Sequence, residues 1–148
     1  MTASAIERDP LFKALIPAHG SLPAAAASKF WKGTMVGRDA SARAALPVAG
    51  VATTPIHGVA SATYDNTTGA AGAITVELDF GVFGFLIGAG GTPNPGDTVY
   101  ALDNQTITLT KGTNSFAGIV TEVRTVQGAT YAFVHLNPFI QGTAQSAG

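Results

Sequence analysis

The side chains able to do chemistry are few and widely separated along the chain. Histidines stand at positions 19, 57 and 135. A metal centre is usually announced by two ligand-type residues at i, i+2 or i, i+4, and none of His19, His57 or His135 has such a neighbour. His57 precedes Gly58 at the start of an apolar run, and His135 alternates with Tyr131 and Phe133, so both read as structural or surface histidines. Glu77 and Asp79 share one face of a strand, about 7 Å apart by strand rise. That spacing suits glycoside hydrolysis, but the reaction also needs a groove around the pair, and a solvated strand face is the plainer reading. There is no cysteine and no Gly-x-Ser-x-Gly elbow for a nucleophile. Gly88-Ala89-Gly90-Gly91 has the glycine content of a phosphate cradle, yet Pro93 and Pro95 follow it where a cradle requires a helix and a closing Gly-Lys-Ser/Thr. The sequence therefore assigns no catalytic, metal or cofactor-binding residue, and the expectation is a protein that is not an enzyme.

The elements that would position such groups read as strands. Phe80–Ile87 is apolar with Gly81 and Gly84 inserted, which predicts a buried strand carrying a bulge or a close backbone approach. Ahead of it, Ile74, Val76, Leu78, Phe80 and Val82 alternate with Thr75, Glu77, Asp79 and Gly81, as in a half-buried strand running straight on. A strand pair, or a strand with a turn, is expected over Phe30-Trp31 and Gly33–Val36, and further strands at Ile56–Tyr64, Thr98–Leu102, Thr106–Thr110, Phe116–Arg124 and Thr130–Leu136. Turns fall at Asp65–Gly69, Asp103–Gln105, Lys111–Asn114 and Gln127-Gly128.

Composition agrees with a turn-rich all-β protein. The 148 residues hold 18 glycines, 8 prolines and only 11% charged side chains, for a net charge of −1. Soluble surfaces usually carry about 25–35% charge, so burial within an oligomer or a larger assembly is expected. The absence of cysteine excludes a disulfide framework. No basic-then-apolar leader opens the chain and no apolar run approaches the ~18 residues of a membrane span, so synthesis and function without membrane passage are expected. Charge is uneven: Arg8, Lys13, Lys29, Lys32, Arg38 and Arg43 against Glu7, Asp9 and Asp39 leave residues 1–43 at +3 and the remainder at −4. These cations are dispersed and lack stacking aromatics, which argues against direct nucleic-acid binding.

Residues 1–32 read as an extended arm, because Pro10, Pro17, Gly20 and Pro23 forbid a long helix. The arm carries too many apolar residues for a solvated tail. It is expected to lie on a surface, its own or a neighbouring subunit's, through Ile6, Arg8, Leu11, Phe12, Lys13, Leu15, Ile16, Lys29, Trp31 and Lys32. A β domain over 33–140 and a flexible tail over 141–148 complete the division. Within the β domain three segments recur in order: Gly33–Val36 with Gly96–Val99, Gly58–Ser61 with Gly118–Thr121, and Ile74–Leu78 with Tyr131–Leu136, at offsets of 63, 60 and 58. Two similar three-strand modules building one small barrel or sandwich are expected.

The order GVFGF (Gly81–Phe85), PGDTVYALDNQTITLT (Pro95–Thr110), SFAGIVTEV (Ser115–Val123) and YAFVHL (Tyr131–Leu136) resembles the capsid decoration, or cement, proteins of tailed bacteriophages. The likeness covers about residues 74–137, and Asn104 stands where the family pattern has a second aspartate in its turn. The resemblance implies a β-tulip-like fold and a virion protein made in the host cytoplasm. It would bind the outer surface of the head and stabilise contacts between major capsid protein subunits, as a trimer or a dimer. It brings no catalytic residue with it. Two alternatives accompany it: another virion component, such as a head fibre or tail-tube protein, and a β-barrel ligand-binding module in which Trp31, Tyr64 and Tyr100 would stack against sugars.

Overall fold

The computed structural model describes residues 19–136. Among these, every regular element is a strand: β1 (His19–Pro23), β2 (Ser28–Phe30), β3 (Met35–Arg38), β4 (Ala44–Ala45), β5 (Ile56–Ala60), β6 (Tyr64–Asn66), β7 (Thr75–Asp79), β8 (Gly81–Ile87), β9 (Thr98–Ala101), β10 (Thr106–Thr108), β11 (Ser115–Val126) and β12 (Ala129–Leu136). The all-β expectation holds. One five-stranded sheet has the order β1-β7-β5-β3-β4. A second runs β8-β12-β11-β9-β10, and β10 returns to pair in parallel with β8, so its order closes into a ring. β2 and β6 form a separate antiparallel ribbon.

The two sheets are wired alike, strand for strand, and the likeness reaches single residues. In the first half Val36 pairs with Gly58 and Gly37 with Ile56, so the ladder skips His57. In the second, Val99 pairs with Gly118 and Tyr100 with Phe116, and the ladder skips Ala117. The same bulge thus sits in the same place in both. The Gly33 N–H donates to the Ala60 carbonyl at 2.9 Å and the Gly96 N–H to the Val120 carbonyl at 2.8 Å. Both glycines hold a positive φ, 81° and 94°, that a side chain would resist. The Ser61 hydroxyl donates to the Glu77 carbonyl at 3.1 Å, and Thr121 does the same to Phe133 at 3.1 Å. Even the ring closure recurs, since an isolated parallel bridge joins Ala24 to Ala44 where β8 and β10 meet in the other half.

The recurrence is wider than the sequence suggests, and differently aligned at one point. It spans five strands in each half rather than three, because β1 matches β8 and β4 matches β10. The third segment is offset by 56 residues instead of 58: Asp79 opposes Val59 as His135 opposes Ile119. A slip of two leaves every side chain on its original face, so alternation alone cannot distinguish the two alignments.

Each half buries an equivalent core. Leu22, Val36, Ala60, Val76 and Leu78 are buried in the first half, and their counterparts Phe85, Val99, Val120, Ala132 and Val134 in the second. Where the second half has Ile87 and Ile107, the first has Ala24 and Ala44, and the fully buried Phe30 supplies the missing volume within that cluster. Met35, Ile56 and Val59 of the first half join the second core, which ties the halves together through apolar contact.

Two expectations need correction. Residues 19–32, assigned to an extended arm, hold β1 and β2 of the domain, because Leu22, Ala24 and Phe30 bury in its core and an outer strand tolerates Pro23. The rest of the arm and the tail at 141–148 lie outside the described residues. Phe80–Ile87 is not a buried continuation of β7. Gly81 adopts φ 141° and the alternation changes phase there: even positions point inward along β7, odd positions along β8. Val82 and Leu86 consequently face outward, 49% and 39% exposed, while Phe85 fills the core.

Candidate interaction surface

The chemistry-bearing residues remain apart among the described part of the chain. His19 Nδ1 lies 2.8 Å from Asp79 Oδ1 across β1 and β7, in an exposed pair. Glu77, two residues away on the same outward face, takes no part in that pair. His57 occupies the β5 bulge with its ring edge-on to Phe80 at 5.9 Å. Its Nδ1 is buried without a hydrogen-bond partner. Burial holds the His57 pKa below the usual imidazole value, and the Arg38 guanidinium lowers it further. His135 sits on β12 opposite Val82. No group of three or more histidine, aspartate or glutamate side chains able to hold a metal occurs among the described residues, and no helix there is long and apolar enough to cross a membrane.

Of the residues expected to make contacts, Ile6, Arg8, Leu11, Phe12, Lys13, Leu15 and Ile16 lie outside the described residues. Lys29 lies within β2, opposite Asp65, and Trp31 and Lys32 follow just past its end. The Lys29 ammonium stands 4.0 Å over the Trp31 ring, and it is 3.9 Å from an Asp65 carboxylate oxygen. Trp31 is 52% exposed, so this cation–π pair presents itself to solvent. The three aromatics considered as sugar platforms do not behave alike. Tyr64 packs against the first core and Tyr100 lies edge-on to Phe116, leaving Trp31 as the exposed member.

The duplicated scaffold makes the outer faces of the two sheets directly comparable. On the first, β1 and β7 present His19, Ser21, Pro23, Thr75, Glu77 and Asp79, a set that is polar apart from Pro23. At the matching positions of the second, β8 and β12 present Val82, Gly84, Leu86, Tyr131, Phe133 and His135. Identical registers thus carry a solvated face in one half and an apolar, aromatic face in the other. Phe133 lies over Gly84, where a Cβ would sit 3.2 Å from its ring. The Arg124 guanidinium covers the same ring at 4.6 Å while pairing with Glu122. Beside this face a cleft of about 310 Å³ opens between Lys32–Thr34 and Gly84–Leu86, bounded by Gln105 and Tyr131.

The sequence pointed to Lys32 but not to this face, because the unbroken alternation through Gly81 placed Val82 inward. A signal was nevertheless present, in the absence of any charge or proline from Phe80 to Ile87. Comparison with known proteins gave no matching family model, no matching curated protein and no matching solved structure.

Proposed function

We propose that this chain is a head decoration protein of a tailed bacteriophage, which binds the outer capsid surface and clamps neighbouring major capsid protein subunits. The observation that carries the reading is the apolar, aromatic outer face of β8 and β12 at positions where the duplicated half is polar. A chain with 11% charged residues that leaves such a face open is suited to a permanent contact. The resemblance of residues 74–137 to decoration proteins supplies the nature of the partner. Affinity would come from many modest contacts repeated by symmetry rather than from one deep pocket. The reading includes a homotrimer, with a dimer as the alternative, and an N-terminal segment that reaches capsid or sister subunits through Ile6, Leu11, Phe12, Leu15 and Ile16. The test is co-sedimentation of the purified chain with expanded heads built from a major capsid protein of the same genome. Saturable binding that is lost on deleting residues 1–17, with the oligomer intact, supports the reading. Unbound protein at all concentrations overturns it.

The cleft beside Lys32 favours a second reading, a β-barrel ligand-binding module. Saturable binding of a small carboxylate or sugar at Lys32 and Tyr131, with no affinity for heads, would select it.

A further inference from the structure

The backbone of β8 is paired on one side only along most of its length. The Leu86 N–H donates to the Gln105 carbonyl at 3.0 Å and the Gly88 N–H to the Ile107 carbonyl at 2.7 Å. Both bonds point toward β10. Backbone groups of alternate strand residues face the same edge, so the N–H and C=O of Val82 and Gly84 point that way too. β10, however, begins at Thr106 opposite Leu86 and extends no further along β8. Among the described residues, Val82 and Gly84 therefore have no partner strand on that edge. Gly84 and Leu86 also line the cleft whose opposite wall is Lys32–Thr34.

The matching edge strand in the first half carries residues that discourage pairing. Where β8 has Leu86, β1 has Pro23, which has no N–H to give. Where β8 has Val82, β1 has His19, held by Asp79. Proline and charged groups are the usual devices that keep a sheet edge from recruiting another chain. β8 carries neither, although it occupies the same place in the same architecture. Its neighbour Lys32 is exposed and makes no ion pair among the described residues.

We propose that the open edge of β8, at Val82 and Gly84, is a β-augmentation site that takes one extended peptide segment of a partner protein, with an acidic side chain of that segment on Lys32. The incoming strand hydrogen-bonds to the N–H and C=O of Val82 and Gly84 and continues the sheet where β10 stops. Gly84 has no side chain to obstruct it, and about 7 Å of edge is available from Val82 to Gly84 by strand rise. Lys32–Thr34 and Gly84–Leu86 line one cleft of about 310 Å³, which brings the Lys32 cation beside this edge. The site stands on the edge geometry alone, whether or not the partner is a capsid protein.

The test titrates the full-length, isotope-labelled chain with the peptide acetyl-Thr-Val-Asp-Val-Thr-amide, following backbone amides by NMR. Two versions N-methylated on alternate residues, one in each phase, and a version with lysine for aspartate complete the set. The expected result is saturable shifts at the Val82 and Gly84 amides with a dissociation constant on the order of millimolar. One N-methylated phase should lose binding and the other keep it, since only one edge of the added strand pairs. Lys32→Glu should weaken the aspartate peptide about three- to fivefold and reverse the preference for lysine. Val82→Lys should reduce binding of every peptide without altering the fold, and because the N-methylated pair leaves the protein untouched, misfolding of a variant does not blunt the test. Unmoved Val82 and Gly84 amides, or equal behaviour of the two phases, would overturn the proposal. It would also be overturned if these amides are already protected in the free chain, with a mass showing that a second copy occupies the edge. Competition by a peptide of residues 1–18 at lower concentration would identify the chain's own terminus as the occupant and overturn it as well.

Discussion

Gly58 and Gly118 are equivalent residues at the two copies of one bulge, yet replacing them with alanine should have unequal effects. A Cβ on Gly118 would lie 2.3 Å from the His135 carbonyl oxygen and 2.8 Å from Val134 Cγ1. The first of these neighbours is backbone in the β11–β12 ladder, so the strands themselves must separate by about 1 Å, at a cost typical of overpacking plus about one strained ladder hydrogen bond. A loss of about 3 kcal/mol is expected. At Gly58 the nearest atom is the Asp79 carbonyl oxygen at 2.9 Å, followed by the Phe80 ring at 3.1 Å and Leu78 Cβ at 3.2 Å. A shift of a few tenths of an ångström relieves all three, so a loss of about 1 kcal/mol is expected. Urea denaturation of the two variants and the parent measures this directly. With a slope of about 2 kcal/mol per molar urea, Gly118→Ala should lower the midpoint by about 1.5 M and Gly58→Ala by about 0.5 M, with unchanged slopes. Equal losses, or a larger loss at Gly58, would refute the close approach on which the shared register rests.

Other consequences follow from single side chains. Phe30→Ala should cost about 3–5 kcal/mol in urea denaturation, because Ala24 and Ala44 cannot refill the space beneath it. Asn66 is 2% exposed and donates to the carbonyls of Ala25 at 2.8 Å and Ala70 at 3.0 Å; Asn66→Ala should lower thermal stability by about 1–3 kcal/mol by leaving those oxygens unpaired. For His57 the folded pKa lies below the unfolded one, so the unfolded chain binds the extra proton. Stability should therefore be full above about pH 6.5, fall as pH drops below it, by at most about 1.4 kcal/mol per pH unit, and level off below the folded pKa. His57→Phe should flatten that segment of the denaturation-midpoint profile, and an unchanged profile would remove His57 as its cause.

What the sequence made legible is what period-2 alternation and turn chemistry encode. Tyr131, Phe133 and His135 against Ala132, Val134 and Leu136 gave the two faces of β12 correctly, half-buried and fully buried. Gly33 and Gly96 marked the same turn twice, which is why the repeat was visible at low overall similarity. The alignment of the third segment was missed by two residues because a two-residue slip preserves faces. The phase change at Gly81 was missed because alternation runs through it unbroken, and only a positive φ, which glycine permits and does not require, reverses the sides. That reversal is what exposes Val82 and Leu86, so the candidate surface was hidden by the same residue. β1 was hidden for another reason: Pro23 marks the absence of a helix equally well for an arm and for an outer strand. The open edge of β8 depends on how far β10 extends, and strand ends are set by tertiary contacts that a single sequence does not display.

The decoration reading is tested most directly by imaging expanded heads incubated with the purified chain. Electron cryomicroscopy should show density on the outer surface at symmetry-repeated positions, with the outer face of β8 and β12 turned toward capsid or a sister subunit and the polar face of β1 and β7 toward solvent. Heads with no added density, or density with the β8 and β12 face left open to solvent, would contradict it.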